Sequence, residues 1–327
     1  MKTGMLIEFL AVTACSFGLT VLLSHFVIPI LKSKKMGQKI LEIGPRWHKS
    51  KEGTPTMGGI CFIAAILLCV GVALIVDASE IKRILLVMIL ALSNGLIGLV
   101  DDRAKLMKKQ NEGLLAWQKY LLQLLAAGLF LLLQSLFGLA TTALALPYTD
   151  LELELGIGYY VIALLLITGV VNSVNLTDGI DGLASTVSLV VAGFFAVAAF
   201  AFGAREISLL SAALVGGLIG FLVYNFHPAR VFMGDTGSLF LGGFLSGLAF
   251  ALGEPLLILV CGLMFVVEAA SVILQVSVFK LSGRKKRLFK MAPIHHHFEQ
   301  CGWNEYKIVA VFGAVTLACC VLAWFGI

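Results

Sequence analysis

Charge is scarce in this 327-residue chain. Lys, Arg, Asp and Glu together make up 13% of it, whereas 59% of the residues are hydrophobic. Soluble globular domains average about 25% charged and about 45–50% apolar, and the mean hydropathy here is +0.99. The deficit excludes a soluble enzyme, a disordered chain, which needs low hydrophobicity and high charge, and a nucleic-acid-binding module. No nucleic acid is expected as a partner. Cysteines at metal-binding spacing are missing as well. Cys15, Cys61, Cys69, Cys261, Cys301, Cys319 and Cys320 form no C-x-x-C pair, and all but Cys301 lie in apolar runs. That leaves neither a zinc knuckle nor a disulfide framework, only thiols that pack as small hydrophobes. There is no fixed-period repeat and no polar stretch long enough to fold alone, so residues 1–327 are read as one membrane domain.

What is present is apolar sequence in runs of about 20 residues, the length that spans a bilayer as a helix. Ten runs are expected as spans: 6–31, 57–76, 82–100, 118–139, 157–175, 183–203, 207–226, 238–253, 255–279 and 306–327. The fold class is therefore an all-α integral membrane protein. Val12-Thr13-Ala14-Cys15 imitates a lipidation signal. However, Glu8 interrupts the run early and the run continues to Leu31, so it is read as the first span. Between the fourth and fifth spans, Leu151-Glu152-Leu153-Glu154-Leu155 alternates strictly, which predicts a small β-hairpin outside the lipid.

Ten spans place both termini on one side. Segments 32–56, 101–119, 227–237 and 280–307 then share the other side and hold 7, 5, 1 and 7 Lys or Arg, which is 20 of the 24. Lys2, Lys82, Arg83 and Arg205 remain opposite. The positive-inside rule makes the four rich segments cytoplasmic and the termini and hairpin external.

Asp101, Asp102, Asp178, Asp181 and Asp235 all fall at or just beyond the cytoplasmic ends of spans. A single interfacial Asp reads as a helix cap or a partner for Lys. Five on one face, beside Gly-rich turns and basic loops, read as a metal–diphosphate site: hard carboxylate oxygens hold Mg²⁺ and cations offset phosphate charge. Asn172, Asn175, Asp178 and Asp181 recur every third residue, and Gly179 and Gly182 predict that the helix breaks there. Gly234-Asp235-Thr236-Gly237-Ser238 enters the eighth span, where a helix N-terminus suits anions, although Asp and Ser are also ordinary caps. Arg284-Lys285-Lys286-Arg287 reads most simply as anchoring to anionic lipid headgroups. His295, His296 and His297 are consecutive and lack zinc-helix spacing. They read as a solvated or phosphate-binding cluster.

Several pieces together carry a resemblance. They are Gly44-Pro45 to His48, Lys51-x-Gly53-Thr54-Pro55-Thr56-Met57-Gly58-Gly59, Gly98-Leu99-Val100-Asp101-Asp102, residues 172–182, residues 232–238, and Ala292-Pro293-Ile294-His295-His296-His297-Phe298-Glu299. They resemble the polyprenyl-phosphate N-acetylhexosamine-1-phosphate transferases. The Thr-Pro-Thr-Met-Gly-Gly and Pro-Ile-His-His-His-Phe-Glu pieces are similar to the branch that transfers phospho-N-acetylmuramoyl-pentapeptide.

The resemblance implies ten membrane helices with a broken ninth, a homodimer, and a Mg²⁺-dependent site facing the cytoplasm of a bacterial cell membrane. UDP-N-acetylmuramoyl-pentapeptide would be the donor and undecaprenyl phosphate the acceptor, with lipid I and UMP as products. It further implies Asp235 as the metal ligand, Asp101 and Asp102 as catalytic groups serving the lipid phosphate, and Asn175, Asp178, Asp181 and Phe232 as the nucleoside pocket. Lys51, Thr56, Lys105, Lys119, Asn172, Asn225, Ser238, Gln275, Ala292, His295, His296 and His297 would complete the substrate site. Two rivals are a sibling transferase for another UDP-amino sugar and a secondary transporter. A transporter site would sit near the midplane between repeated halves, whereas only Glu268 lies near a midplane here.

Overall fold

A computed structural model describes residues 2–34, 51, 53–77, 81–108 and 113–327. The Gly44–His48 motif lies outside the described residues. Ten helices are long and apolar enough to cross a membrane, as the hydropathy pattern predicts. They are α1 (Lys2–Ser33), α2 (Gly59–Val76), α3 (Ile81–Lys108), α4 (Ala116–Leu136), α5 (Ile157–Thr177), α6 (Leu183–Phe202), α7 (Arg205–Asn225), α8 (Gly234–Leu252), α10 (Leu263–Leu281) and α12 (Glu305–Trp324). Among the described residues two short helices complete the set, α9 (Leu257–Cys261) and α11 (Ile294–Gln300). The predicted ninth span is thus α9 and α10, interrupted at Gly262, which caps both.

The alternating segment forms strand β2 (Glu152–Glu154), antiparallel to β1 (Ala143–Ala145) with Leu144 opposite Leu153. Leu144 is buried, while all of β2 is exposed.

α8 is the centre of the bundle. Of its membrane window 83% is buried, against 11% for α1 and 22% for α10. Small residues permit this, because without side chains the backbones of neighbouring helices approach closely. A Cβ on Gly98 of α3 would collide with the Asp235 carbonyl, and one on Gly59 of α2 would collide with the Gly237 backbone. Both contacts fall on the first turn of α8, so close packing fixes the place where the acidic loop enters the helix. Phe62, Phe240 and Phe244 fill the core around it.

Consecutive spans alternate in direction, which brings the ends of α3, α5 and α7 together with the starts of α4, α6, α8 and α12. Ion pairs at this end link α3 and α4 to α8 and link Lys51 to α12. At the opposite end Arg205 of α7 pairs with Glu8 of α1 at 2.7 Å and with Asp77 after α2. There Arg83 of α3 also meets Glu206 of α7 at 2.6 Å. Two of the four minority cations are therefore held by acids.

Candidate active site

α3 continues about two turns past the expected end of its span, so Asp101, Asp102 and Lys105 are helical. Asp102 is 3% exposed and accepts three hydrogen bonds from the first turn of α8. Its Oδ1 takes the Asp235 N–H at 3.1 Å, and its Oδ2 takes the Thr236 N–H at 2.9 Å and the Thr236 hydroxyl at 2.7 Å. A carboxylate from α3 thus supplies the cap that α8 lacks from its own N-cap residue Met233. Asp101, 2% exposed, accepts the Leu114 N–H at 2.8 Å and pairs with Lys105 at 2.7 Å.

Asp235 lies between two ammonium groups, Lys105 at 2.9 Å and Lys119 of α4 at 2.7 Å, both on Oδ2. Its Oδ1 accepts Asn175 Nδ2 at 2.9 Å, and Asn175 also donates to Ser238 Oγ at 2.8 Å. The 51–59 motif is strapped to the entry of α8. Phe232 N–H donates to Pro55 O at 2.8 Å, Gly58 N–H to Phe232 O at 2.8 Å and Gly59 N–H to Met233 O at 3.1 Å. A Cβ on Gly234 would lie 2.5 Å from Asp102 Oδ2 and 2.7 Å from Thr56 Oγ1. Thr56 therefore borders the same turn, and half-buried Phe232 is held beside it.

α5 ends at Thr177 with Asp178 as its C-cap, and the chain turns through Gly182 (φ 74°) into α6. Burial, then the neighbouring Asp235, Asp102 and Asp181 carboxylates, push the Asp178 carboxyl well above the usual range. Asp181 points elsewhere, into a second knot. Lys51 Nζ lies 2.7 Å from Asp181 Oδ1 and 2.6 Å from Glu305 Oε1 at the start of α12. His227 Nδ1 and the Ala229 N–H each lie 2.9 Å from Asp181 Oδ2.

The remaining expected residues divide. Asn172 is a turn deeper, where its amide pairs with Gln123 of α4 at 2.6 and 3.3 Å. Asn225, 2% exposed, accepts the Ser185 hydroxyl at 2.8 Å and donates to Val231 O at 3.0 Å, bracing the 226–233 loop. Gln275 holds the basic loop by accepting the Leu288 and Phe289 N–H groups and donating to Phe289 O. Ala292 precedes Pro293, the N-cap of α11. The three histidines occupy that helix and face different partners: His295 meets Glu268 at 3.0 Å, His296 meets Glu299 at 2.6 Å, and His297 Nδ1 accepts the Lys290 N–H at 3.1 Å.

Thr236, His227, Glu305 and Glu268 contact the expected residues without being among them. Thr236 had a visible signal, its place inside the Gly-Asp-Thr-Gly-Ser loop. Glu268 stands out as an acid inside an apolar run, whereas His227 and Glu305 carry no local signal, because each meets its partner across the fold.

Two acidic groups among the described residues offer ligand atoms within 4.8 Å of one another, Asp101/Asp102/Asp235 and Asp181/His227/Glu305. The first is all carboxylate oxygen, the donor set that suits Mg²⁺. Each group has a lysine between its acids, Lys105 in the first and Lys51 in the second, but the second includes an imidazole in place of a third carboxylate. The first group therefore fits a hard divalent cation.

Residues 84–253 match the family model described as glycosyl transferase family 4, and residues 51–63 match phospho-N-acetylmuramoyl-pentapeptide-transferase signature 1. The chain is 42% identical over 313 residues to a phospho-N-acetylmuramoyl-pentapeptide-transferase of Clostridium botulinum (strain Eklund 17B / Type B), covering 95% of this chain and 94% of that one. It is 42% identical to the Staphylococcus carnosus (strain TM300) protein of that name, covering 95% and 97%. The Staphylococcus aureus (strain bovine RF122 / ET3-1) protein of that name is likewise 42% identical, covering 94% and 96%. An acid-rich site at one end of a ten-span bundle, the signature strapped onto that site, and near full-length identity agree: this chain belongs to the phospho-N-acetylmuramoyl-pentapeptide transferase family, the membrane transferases of peptidoglycan synthesis.

Proposed function

We propose that this chain moves phospho-N-acetylmuramoyl-pentapeptide from its UDP donor to undecaprenyl phosphate, releasing UMP and forming lipid I. One observation carries this reading. Asp235 sits at a helix N-terminus between Lys105, Lys119 and Asn175, beside Asp101 and Asp102. Two phosphates of opposite origin, one on a membrane lipid and one on a soluble nucleotide, meet only at the edge of the bilayer. Lysines and a metal there would neutralise their charge.

Asp235, with Asp101, would hold Mg²⁺. When bound, the ion neutralises phosphate charge and orients the donor. Asp102 is committed to the first turn of α8, which supports a positioning role. Asp101 is the better placed to orient the acceptor or take up its residual proton. The acceptor is a phosphate monoester, largely dianionic at neutral pH, so it attacks the β-phosphorus directly. The new P–O bond forms as the bond to UMP breaks, with no covalent protein intermediate. Phe232 would stack on uracil, and Lys51 and Asp181 would border the nucleotide. The charge split of the loops supports a site facing the cytoplasm of a bacterial cell membrane, and the lipid-exposed α1 and α10 leave room for a homodimer.

UMP release by purified protein tests the reading. It should require both the pentapeptide donor and polyprenyl phosphate, and Mg²⁺. Equal release from other UDP-amino sugars would indicate a sibling specificity. A stoichiometric UMP burst without lipid acceptor, abolished by Asp101→Asn, would refute the single step. No release under any condition would reject the transferase reading.

A further inference from the structure

The fold supplies a carboxylate to Lys51, Lys105, Lys119, Arg83 and Arg205. It supplies none to a second set of cations at the end of α10. Lys280, Arg284, Lys285, Lys286 and Arg287 are all exposed, and among the described residues no acid pairs with them. No Asp or Glu occurs in the sequence between Glu268 and Glu299.

Like charges so close along the chain repel one another, yet they are held in a defined turn. Gly283 and Arg284 both take positive φ, 63° and 65°, and reverse the chain. Ser282 Oγ then accepts the Lys286 N–H at 2.9 Å. The returning arm lies back along α10, where Gln275 accepts the Leu288 and Phe289 N–H groups at 2.9 Å each, and Arg287 sits over the Phe279 ring at 6.0 Å. Two leucines flank the charged turn. Leu281 is 89% exposed, the highest value among the large hydrophobic side chains of the described residues, and Leu288 is 52% exposed. Apolar side chains beside unneutralised cations at the end of a span suit the boundary between acyl chains and anionic headgroups. A soluble polyanion would match the charge but not the leucines.

The returning arm continues into the histidine helix. Lys290 N–H donates to His297 Nδ1 at 3.1 Å, and Lys290 Nζ donates at 3.0 Å to the carbonyl of Gln300, the last residue of α11. Residues 288–290 are thus a strap between α10 and α11. α11 in turn sets His295 against Gly179 of the α5–α6 turn, so closely that a Cβ there would overlap the ring. Movement of the 281–287 turn is therefore transmitted toward the site through three residues.

We propose that the 280–288 turn docks on anionic phospholipid headgroups, with Leu281 and Leu288 in the acyl layer, and that docking holds the strap and, through it, α11 against the α5–α6 turn. Anchoring by scattered cations would leave activity indifferent to lipid charge, whereas a strapped turn makes transfer depend on it. The kinetic consequence rests on the transferase reading above, and the docking does not.

Two measurements test this. A nitroxide on Leu281→Cys, in a chain that also carries Cys15→Ala and Cys301→Ser, reports depth. In neutral phosphatidylcholine nanodiscs a water-soluble nickel chelate should relax it. With a third of the lipid exchanged for phosphatidylglycerol, the label should be shielded from the chelate and relaxed by oxygen instead. Each Lys or Arg near an anionic leaflet is worth about fivefold in surface affinity, so R284Q/K285Q/K286Q/R287Q should weaken docking by roughly several hundred-fold and leave the label in water. High salt should do the same to the wild-type turn. Equal depth in both lipids overturns the proposal, whether or not the chain transfers phospho-sugar. A label on Leu288→Cys repeats the measurement should the first perturb α10. In the same nanodiscs without labels, wild-type UMP release at saturating substrates should be several-fold faster in the anionic lipid, and the four-Gln variant should keep the neutral-lipid rate in both. A variant as lipid-sensitive as wild type overturns the coupling. A donor KM raised alike in both lipids would mean that the turn steers the soluble donor, and it overturns the lipid assignment.

Discussion

Asp102→Asn separates the cap from the chemistry. The substitution preserves size but replaces one acceptor oxygen with an NH₂ donor, and Asp102 accepts three bonds with two oxygens. The amide must set its N–H groups against either the Asp235 N–H or the two Thr236 donors. The first choice is cheaper and strands one buried N–H, costing about 1–3 kcal/mol. The two surviving bonds lose their charge assistance, worth about 1 kcal/mol each. Together these destabilise the α8 entry by about 3–5 kcal/mol. Thr236→Val removes one hydrogen bond to a charged group, about 1.5–3 kcal/mol. Thermal unfolding followed by circular dichroism in nanodiscs should therefore rank wild type above Thr236→Val above Asp102→Asn. Both variants should lose activity, because the turn they loosen carries Asp235. An Asp102→Asn protein that melts with wild type would refute the cap, and if it were also inactive it would assign Asp102 to the chemistry.

Asp178 gives a pH signature. Its folded-state pKa is raised, so its contribution to stability is full below the unfolded value of about 3.9 and is lost as pH rises through the folded value. The melting temperature of Asp178→Asn should exceed that of wild type increasingly with pH, and parallel curves would reject the assignment. Phe232→Ala should weaken UMP binding by about 1–3 kcal/mol, by analogy with base–aromatic stacking elsewhere. Unchanged affinity in calorimetry would make Phe232 only a loop anchor. Cys301 is exposed and should react with an impermeant maleimide in inverted vesicles but not in intact cells. Labelling in intact cells would reverse the orientation and move the site outside.

Local sequence was enough for everything that depends on neighbours along the chain. Twenty-residue apolar runs have one physical outcome in lipid, a helix that satisfies its own backbone, and all ten appear as helix, the ninth broken at Gly262. The strict alternation at 151–155 placed β2, although its partner at 143–145 carries no comparable pattern. The glycines after Asp178 placed the break between α5 and α6. By contrast, the interruption at Gly262 is one glycine in an apolar run and carries no signal of its own in periodicity.

Tertiary structure alone decided which charges meet. The regular spacing of Asn172, Asn175, Asp178 and Asp181 reads as one face, yet Asn172 turns to Gln123, Asn175 to Asp235, and Asp181 to Lys51 across the helix break. Lys51 and Glu305 are 254 residues apart, and Asp102 caps a helix more than 130 residues further along the chain. Chain spacing encodes the helical period but not the approach of one helix to another. That approach depends on where side chains are absent, at Gly59, Gly98 and Gly237, and it determines which carboxylates face a lysine, which face an N-terminus, and which face each other.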